Sequence, residues 1–153
     1  MIPLLVLQIF LFPLTASWLM NIWVDSRMSL SLKDSASHLG SSIQQLYFTM
    51  NHDTVSAGTT TYTPGLPPYI ENHVYRGTAV LRNAVGNGAN SSKILDITLS
   101  LSKTQTSTTT SITLGSNAVW SNSTFLSDST NAVIIAQKFW NGTAYVISLQ
   151  FGS

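Results

Sequence analysis

The chain begins MIPLLVLQIFLFPLTASWLMNIWV, residues 1–24, and where this stretch is housed decides the rest of the fold. It contains no Asp, Glu, Lys, Arg or His, and only Gln8, Thr15, Ser17 and Asn21 interrupt a run of apolar residues and prolines. Wound as a helix it would be apolar on every side rather than along one stripe, so it would not lie on the surface of a soluble domain. At about 1.5 Å per residue it would reach roughly 34 Å, enough to cross a hydrocarbon layer of about 30 Å. Each large side chain gains about 1.5–3 kcal/mol on leaving water. This end of the chain therefore belongs in a membrane or in a bundle of its own copies.

Three housings compete. A cleaved secretory signal would carry a basic region ahead of a short apolar run, and here no Lys or Arg precedes it. A single-pass anchor is favoured by Trp18 and Trp23, amphipathic rings suited to the interface at the outer end of a membrane helix. The third housing is a helix that waits in the membrane and then packs against identical helices in a filament. Pro3 falls in the first turn and removes no helical bond, whereas Pro13 leaves the carbonyl of Ile9 without its partner and is expected to bend the helix. Lipid-buried and bundled helices both tolerate such a bend. Pro13 therefore leaves anchor and filament both open.

After Asp25 the pattern changes from uniformly apolar to striped. Met28, Leu32, Ala36, Leu39, Ile43, Leu46 and Met50 recur at spacings of three and four, the mark of one helical face. The helix is therefore expected to run to about Met50, with its second half docked on a globular part and its first half in other company. Gly40 and the serines Ser35, Ser37, Ser41 and Ser42 weaken the second half by propensity, which leaves room for a break or local unwinding near Asp25-Ser26 or at Gly40. Asn51-His52-Asp53 then favour a turn. The chain divides into a helical region, 1–51, and a β-rich domain, 52–153.

In the second region helical periodicity is lost. Thr54 to Thr63 is rich in threonine, and Pro64-Gly65-Leu66-Pro67-Pro68 must be a loop. Strands are expected at Val74 to Leu81, Ile94 to Leu101 and Thr104 to Leu114, with short edge pieces at Ala118 to Trp120 and Thr124 to Leu126. Ala132 to Trp140 and Thr143 to Phe151 flank Asn141-Gly142, a two-residue hairpin signal. Asn83 to Ser92 reads as a loop. Short strands separated by turn residues give an α+β chain: a long hydrophobic N-terminal α-helix followed by an antiparallel, sandwich-like β domain.

Charged residues make up 8% of the 153-residue chain, against about 25% in ordinary domains. Ser, Thr and Asn replace them, a surface that is solvated without titrating and that suits exposure outside a cell. The net charge is +1 and no basic patch appears, so nucleic acid is a poor partner. Without cysteine there is no disulfide framework, thiol nucleophile or thiolate metal site. His38, His52 and His73 lack ligand spacing. The carboxylates Asp25, Asp34, Asp53, Glu71, Asp96 and Asp128 do not pair in sequence. Gly86-Asn87-Gly88 lacks the spacing and following helix of a nucleotide loop, and no GxSxG occurs. The expectation is a protein that is not an enzyme and needs no cofactor or metal. Three Asn-x-Ser/Thr sequons, at Asn90, Asn122 and Asn141, fall on expected loops or turns where a glycan fits.

A wholly apolar N-terminal helix running into an amphipathic half, then a cysteine-free β domain rich in Ser, Thr and Asn, resembles archaeal type IV pilins and the archaellins. LPPYIENHVY, Leu66 to Tyr75, is similar to the Leu-Pro-Pro and downstream Tyr pattern that follows the helix in archaeal pilin-like proteins. Leu5 stands where bacterial pilins carry glutamate, which favours the archaeal branch. The resemblance implies processing by a prepilin peptidase, extraction from the membrane by an ATP-driven assembly platform, and a homo-oligomeric helical filament cored by the N-terminal helices. No charged leader precedes Met1, so the resemblance further implies numbering from a processed end or a non-standard precursor. On this reading Ile2, Leu4, Leu5, Leu7, Phe10, Leu11, Leu14, Trp18, Leu19 and Trp23 form the filament core, after an earlier stage in the membrane. Met28, Leu32, Ala36, Leu39, Ile43, Leu46 and Met50 pack the helix on the β domain. The expected role is a structural subunit of an extracellular filament serving adhesion or motility. The alternative is a membrane-anchored surface binding module, or an archaellum stator-like protein with a β-sandwich ectodomain.

Overall fold

The computed structural model describes residues 2–84, 91–130 and 132–152. A single helix, α1 (Ile2–Met50), runs unbroken for 49 residues with Pro13 inside it, about 74 Å at 1.5 Å per residue. The helix is continuous through both Asp25 and Gly40, where its sequence is weakest. A Cβ on Gly40 would lie 3.0 Å from Ile112 Cγ2 and 3.4 Å from Thr110 Cγ2, so the missing side chain is what lets the helix approach the sheet this closely. The packing gained there outweighs the roughly 1 kcal/mol propensity penalty of a mid-helix glycine. The helix ends in a tightened turn, with Asn51 N donating to Tyr47 O at 2.9 Å and His52 N to Thr49 O at 3.3 Å.

Among the described residues eight strands follow: β1 (Gly58–Tyr62), β2 (Tyr75–Asn83), β3 (Lys93–Leu101), β4 (Ser107–Leu114), β5 (Ala118–Trp120), β6 (Thr124–Leu126), β7 (Ile134–Trp140) and β8 (Tyr145–Phe151). They form two four-stranded sheets, ordered β1-β7-β8-β5 and β4-β3-β2-β6. The chain is α+β, and its sheets are predominantly antiparallel. Alternation explains the central strands: Leu95, Ile97, Leu99 and Leu101 of β3 are buried and the residues between them face outward, as a period of two requires.

Three features depart from the sequence expectation. The threonine-rich Gly58–Tyr62 is a strand, paired antiparallel with β7. β5 pairs with β8 in parallel, and residues 121–123 then carry the chain into the other sheet as β6 instead of turning back as a hairpin. The β7–β8 loop is longer than the two residues that Asn-Gly suggested. Trp140 and Tyr145 are the last paired residues, and Asn141 Oδ1 draws in the amides of Thr143 and Ala144 at 3.0 and 2.9 Å. The loop thus spans 141–144, with Gly142 at a φ of +104° that suits glycine. Most of the expected loop from Asn83 to Ser92 lies outside the described residues.

The core lies between the two sheets and the second half of α1. Leu32, Ala36, Leu39 and Ile43 meet Leu95, Ile97, Ile134, Ala136, Ile147 and Leu149 in one buried cluster. Phe125, Phe151 and Trp120 extend it as an edge-to-face series with centroids 4.7 and 4.8 Å apart, and the Phe125 ring sits over Gly77, where any side chain would collide with it.

Candidate functional site

The surface that stands out is the first half of α1. Every residue from 3 to 27 is exposed, and fifteen large apolar side chains lie between Leu4 and Val24. Leu4, Leu7, Leu11 and Leu14 share one side of the helix, while Leu5, Ile9, Phe12 and Trp23 cover others. Phe12 is 78% exposed and Trp23 is 72% exposed, whereas Leu32 one turn beyond the boundary is 0% exposed. The division falls at Met28, where the helix first meets the β domain. The helix is long and apolar enough to cross a membrane, and its most apolar window touches nothing else in the chain. At about 1.5–3 kcal/mol per buried side chain, covering this surface releases tens of kcal/mol, more than the whole stability of an ordinary domain, about 5–15 kcal/mol. A depression of about 630 Å³ beside Pro13, bounded by Leu5, Gln8, Ile9 and Phe12, gives the helix relief into which an apolar knob fits. Thr15 Oγ1 satisfies itself on the Leu11 carbonyl, so one of the few polar groups here asks nothing of a partner.

The structure places Leu4, Leu5, Leu7, Phe10, Leu11, Leu14, Trp18, Leu19 and Trp23 together on this bare cylinder, all exposed. The side chain of Ile2 lies outside the described residues. Met28, Leu32, Ala36, Leu39, Ile43 and Met50 are buried against the β domain, while Leu46 is half-buried at the margin and Tyr47 takes the interior place. A period of 3.6 rotates position 47 further inward than 46 once Ile43 is the anchor, and the phenol gains a polar partner as well.

The joint between helix and domain is polar, and it is the part that sequence reasoning missed. Tyr47 Oη donates to Asn117 Oδ1, and Asn117 Nδ2 donates to Asn51 Oδ1 at 2.7 Å and to the Tyr145 carbonyl at 3.1 Å. Burial raises the Tyr47 pKa, with a hydrogen bond from the Gly115 backbone pulling the other way. Lys138 is buried on β7, its Nζ donating to the carbonyls of His52 at 3.0 Å and Val55 at 2.9 Å. The same ammonium lies 5.0 Å from the centre of the Tyr145 ring. A cation held on carbonyls just past a helix C-terminus also answers the negative end of the helix dipole. The sequence did hold a signal: Lys138 continues the inward row Ile134, Ala136, and a charge on such a row demands partners.

Leu66 to Tyr75 forms a second brace. Tyr75 Oη donates to the Pro67 carbonyl at 2.5 Å, and Ser127 Oγ donates to the Pro68 carbonyl at 2.6 Å while accepting from Tyr75 N at 3.0 Å. Burial pushes the Tyr75 phenol up to about 12, against a smaller opposing pull from Ser35. His38 Nε2 meets the Pro64 carbonyl at 2.6 Å, which fastens the same loop to α1. The proline loop is thus strapped to both helix and sheet, although its own backbone enters no ladder.

On the outer face of β3, Arg82 Nε and Ser111 Oγ donate to Asp96 at 2.7 and 2.5 Å and hold its carboxyl below the usual carboxylate range. His38, His52 and His73 do not converge. Among the described residues no three His, Cys, Asp or Glu side chains gather as a metal site would require. Of the sequons, Asn122 and Asn141 are exposed and Asn90 lies outside the described residues. Comparison with family models, with curated proteins and with solved structures gives no match.

Proposed function

We propose that this protein is the structural subunit of an extracellular helical filament, polymerising through its N-terminal helices. The observation that carries the proposal is the bare cylinder from residue 3 to residue 24, apolar around its whole circumference and attached to a β domain that buries none of it. A membrane covers such a surface while the subunit waits, and neighbouring copies of the same helix cover it in the assembly. Exchanging lipid for protein exposes little apolar area to water at any step. The docked second half of α1 makes helix and β domain one body, so a bundle of helices carries the β domains outward as a polar sheath. By resemblance, a prepilin peptidase and an assembly platform would prepare and drive this transfer. Adhesion or motility would be the filament's task.

The second reading is a single anchored molecule whose β domain binds a fixed surface partner. Trp18 and Trp23, exposed near the outer end of the apolar run, favour it because such rings settle at a membrane interface. Negative-stain microscopy of material sheared from cells, with mass spectrometry of the purified fibres, separates the two. Fibres composed of this chain support the filament. A chain that stays in the membrane fraction and leaves detergent as a monomer supports the anchor and rejects polymerisation.

A further inference from the structure

We propose that Asn141 is the acceptor of an N-linked glycan and that the exposed ring pair Trp140 and Tyr145 is the platform on which its first sugar rests. The assignment depends on the external location proposed above. Asn141-Gly142-Thr143 is a sequon, and it occupies the tip of the β7–β8 hairpin with all three residues exposed. The side chain of Asn141 is fixed by its oxygen. Oδ1 accepts from Thr143 N at 3.0 Å, Thr143 Oγ1 at 3.0 Å and Ala144 N at 2.9 Å. Two of these donors are backbone N–H groups, which can only donate, so the amide orientation is determined. Nδ2 is the free end, without a hydrogen-bond partner among the described residues.

Beside it, Trp140 and Tyr145 meet edge-to-face across the hairpin with ring centroids 5.1 Å apart, 57% and 47% exposed. Tyr145 also lies over the Lys138 ammonium, but about half of each ring is left open to solvent at the hairpin tip. The C–H face of a pyranose is apolar and covers an aromatic ring well, while its hydroxyls need polar neighbours. A shallow cleft of about 310 Å³ next to Asn141, bounded by Tyr145, Val119, Ser116 and Asn117, offers both. The Asn122 sequon lacks this arrangement. There Ser123 Oγ is engaged with the Ser121 carbonyl and with Phe151 N, and the nearby Trp120 is half-buried edge-on against Phe151.

The donor required is a saccharide linked through its anomeric carbon to a lipid-borne phosphate or diphosphate, used by a membrane transferase. The Nδ2–C1 bond forms as the C1–O bond to phosphate breaks. The phosphate leaves with that electron pair, and the proton from Nδ2 passes to a base of the transferase. The three donors on Oδ1 stabilise the negative charge that this oxygen gains as Nδ2 is deprotonated.

The test uses the chain isolated from its own cells. Fragmentation of the peptide containing residues 139–146 by electron-transfer mass spectrometry is expected to show saccharide mass on Asn141. Asn141→Gln and Thr143→Ala should lose it, and Thr143→Ser should keep it. Hydroxyl-radical footprinting should find Trp140 shielded in the glycosylated chain and oxidised several-fold more in Thr143→Ala, which retains both backbone bonds to Asn141. A bare Asn141 in surface-located protein, whether or not Asn122 is modified, overturns the assignment and leaves the external location standing. Sugar on Asn141 with Trp140 equally oxidised in both forms overturns the platform. A chain found only inside the cell and unmodified overturns this proposal together with the filament reading.

Discussion

Raising the pH through the titration of Tyr75 should weaken the globular half, because the buried phenol resists losing its proton. The Tyr75 ring is fully buried, its hydroxyl donates to the Pro67 carbonyl at 2.5 Å, and burial pushes its pKa up to about 12. In an unfolded chain the same phenol titrates near 10. Between those values the folded state holds a proton that the unfolded state has released, so stability must fall as pH rises. The contribution is complete below about pH 10 and is lost as the pH passes through about 12, a total on the order of 2 kcal/mol at about 1.4 kcal/mol per pKa unit. Tyr75→Phe keeps the ring and removes the hydroxyl. Near neutral pH the variant should be less stable by about 1 kcal/mol for the lost hydrogen bond, but it lacks this alkaline loss. The two stability curves should therefore cross between about pH 10 and 12. Guanidinium titrations of the full chain in a non-ionic detergent, followed by near-ultraviolet circular dichroism, measure both. Parallel curves, with the same difference at about pH 8 and about pH 12, would refute the argument that the phenol is held neutral by the core.

Gly40→Val forces a branched side chain against Ile112 Cγ2, 3.0 Å from where its Cβ must lie; the melting transition should report a loss of about 1–3 kcal/mol, with Gly40→Ala milder. Lys138→Met keeps the apolar stem but strands the carbonyls of His52 and Val55, at about 1–3 kcal/mol for each group left unpaired. Hydrogen exchange should then accelerate first in residues 51–56, at the joint between helix and domain. Leu7→Glu or Leu11→Glu places an unpaired charge where an apolar neighbour is required, a burial that costs several kcal/mol or more. Filaments should disappear from sheared material while circular dichroism of the β domain stays unchanged.

The long helix and most strands were legible because each has a strong period. The apolar run from Ile2 to Val24, the three-and-four spacing from Met28 to Met50, and the alternation of Leu95, Ile97, Leu99 and Leu101 each point to one conformation. The misreadings arise where long-range packing overrides a local signal. Gly40 weakens the helix by propensity but lets it lie close against Ile112 and Thr110 of β4. Tyr47 displaces Leu46 because burial and a bond to Asn117, seventy residues away, act together. Asn141-Gly142 suggests a two-residue turn, yet the Asn141 side chain captures two amides and lengthens it. Threonines at Gly58–Tyr62 carry no apolar alternation, and the strand exists because β7 offers an unpaired edge. The exposed cylinder was legible from composition alone. Of the joint, only Lys138 leaves a mark in the sequence, as a charge on the inward row of Ile134 and Ala136; no sequence spacing brings Asn117 and Asn51 together.

What lies against the first half of α1 separates a polymer from a lone anchor. A photo-crosslinking residue placed at Leu11 and activated in sheared surface material reports its neighbour directly, and the cysteine-free chain adds no disulfide-linked species to the reading. A ladder of masses at whole multiples of the chain, with crosslinks mapping to residues 3–24 of other copies, is the predicted result. Adducts to lipid alone, from a chain that never exceeds one copy, would contradict it.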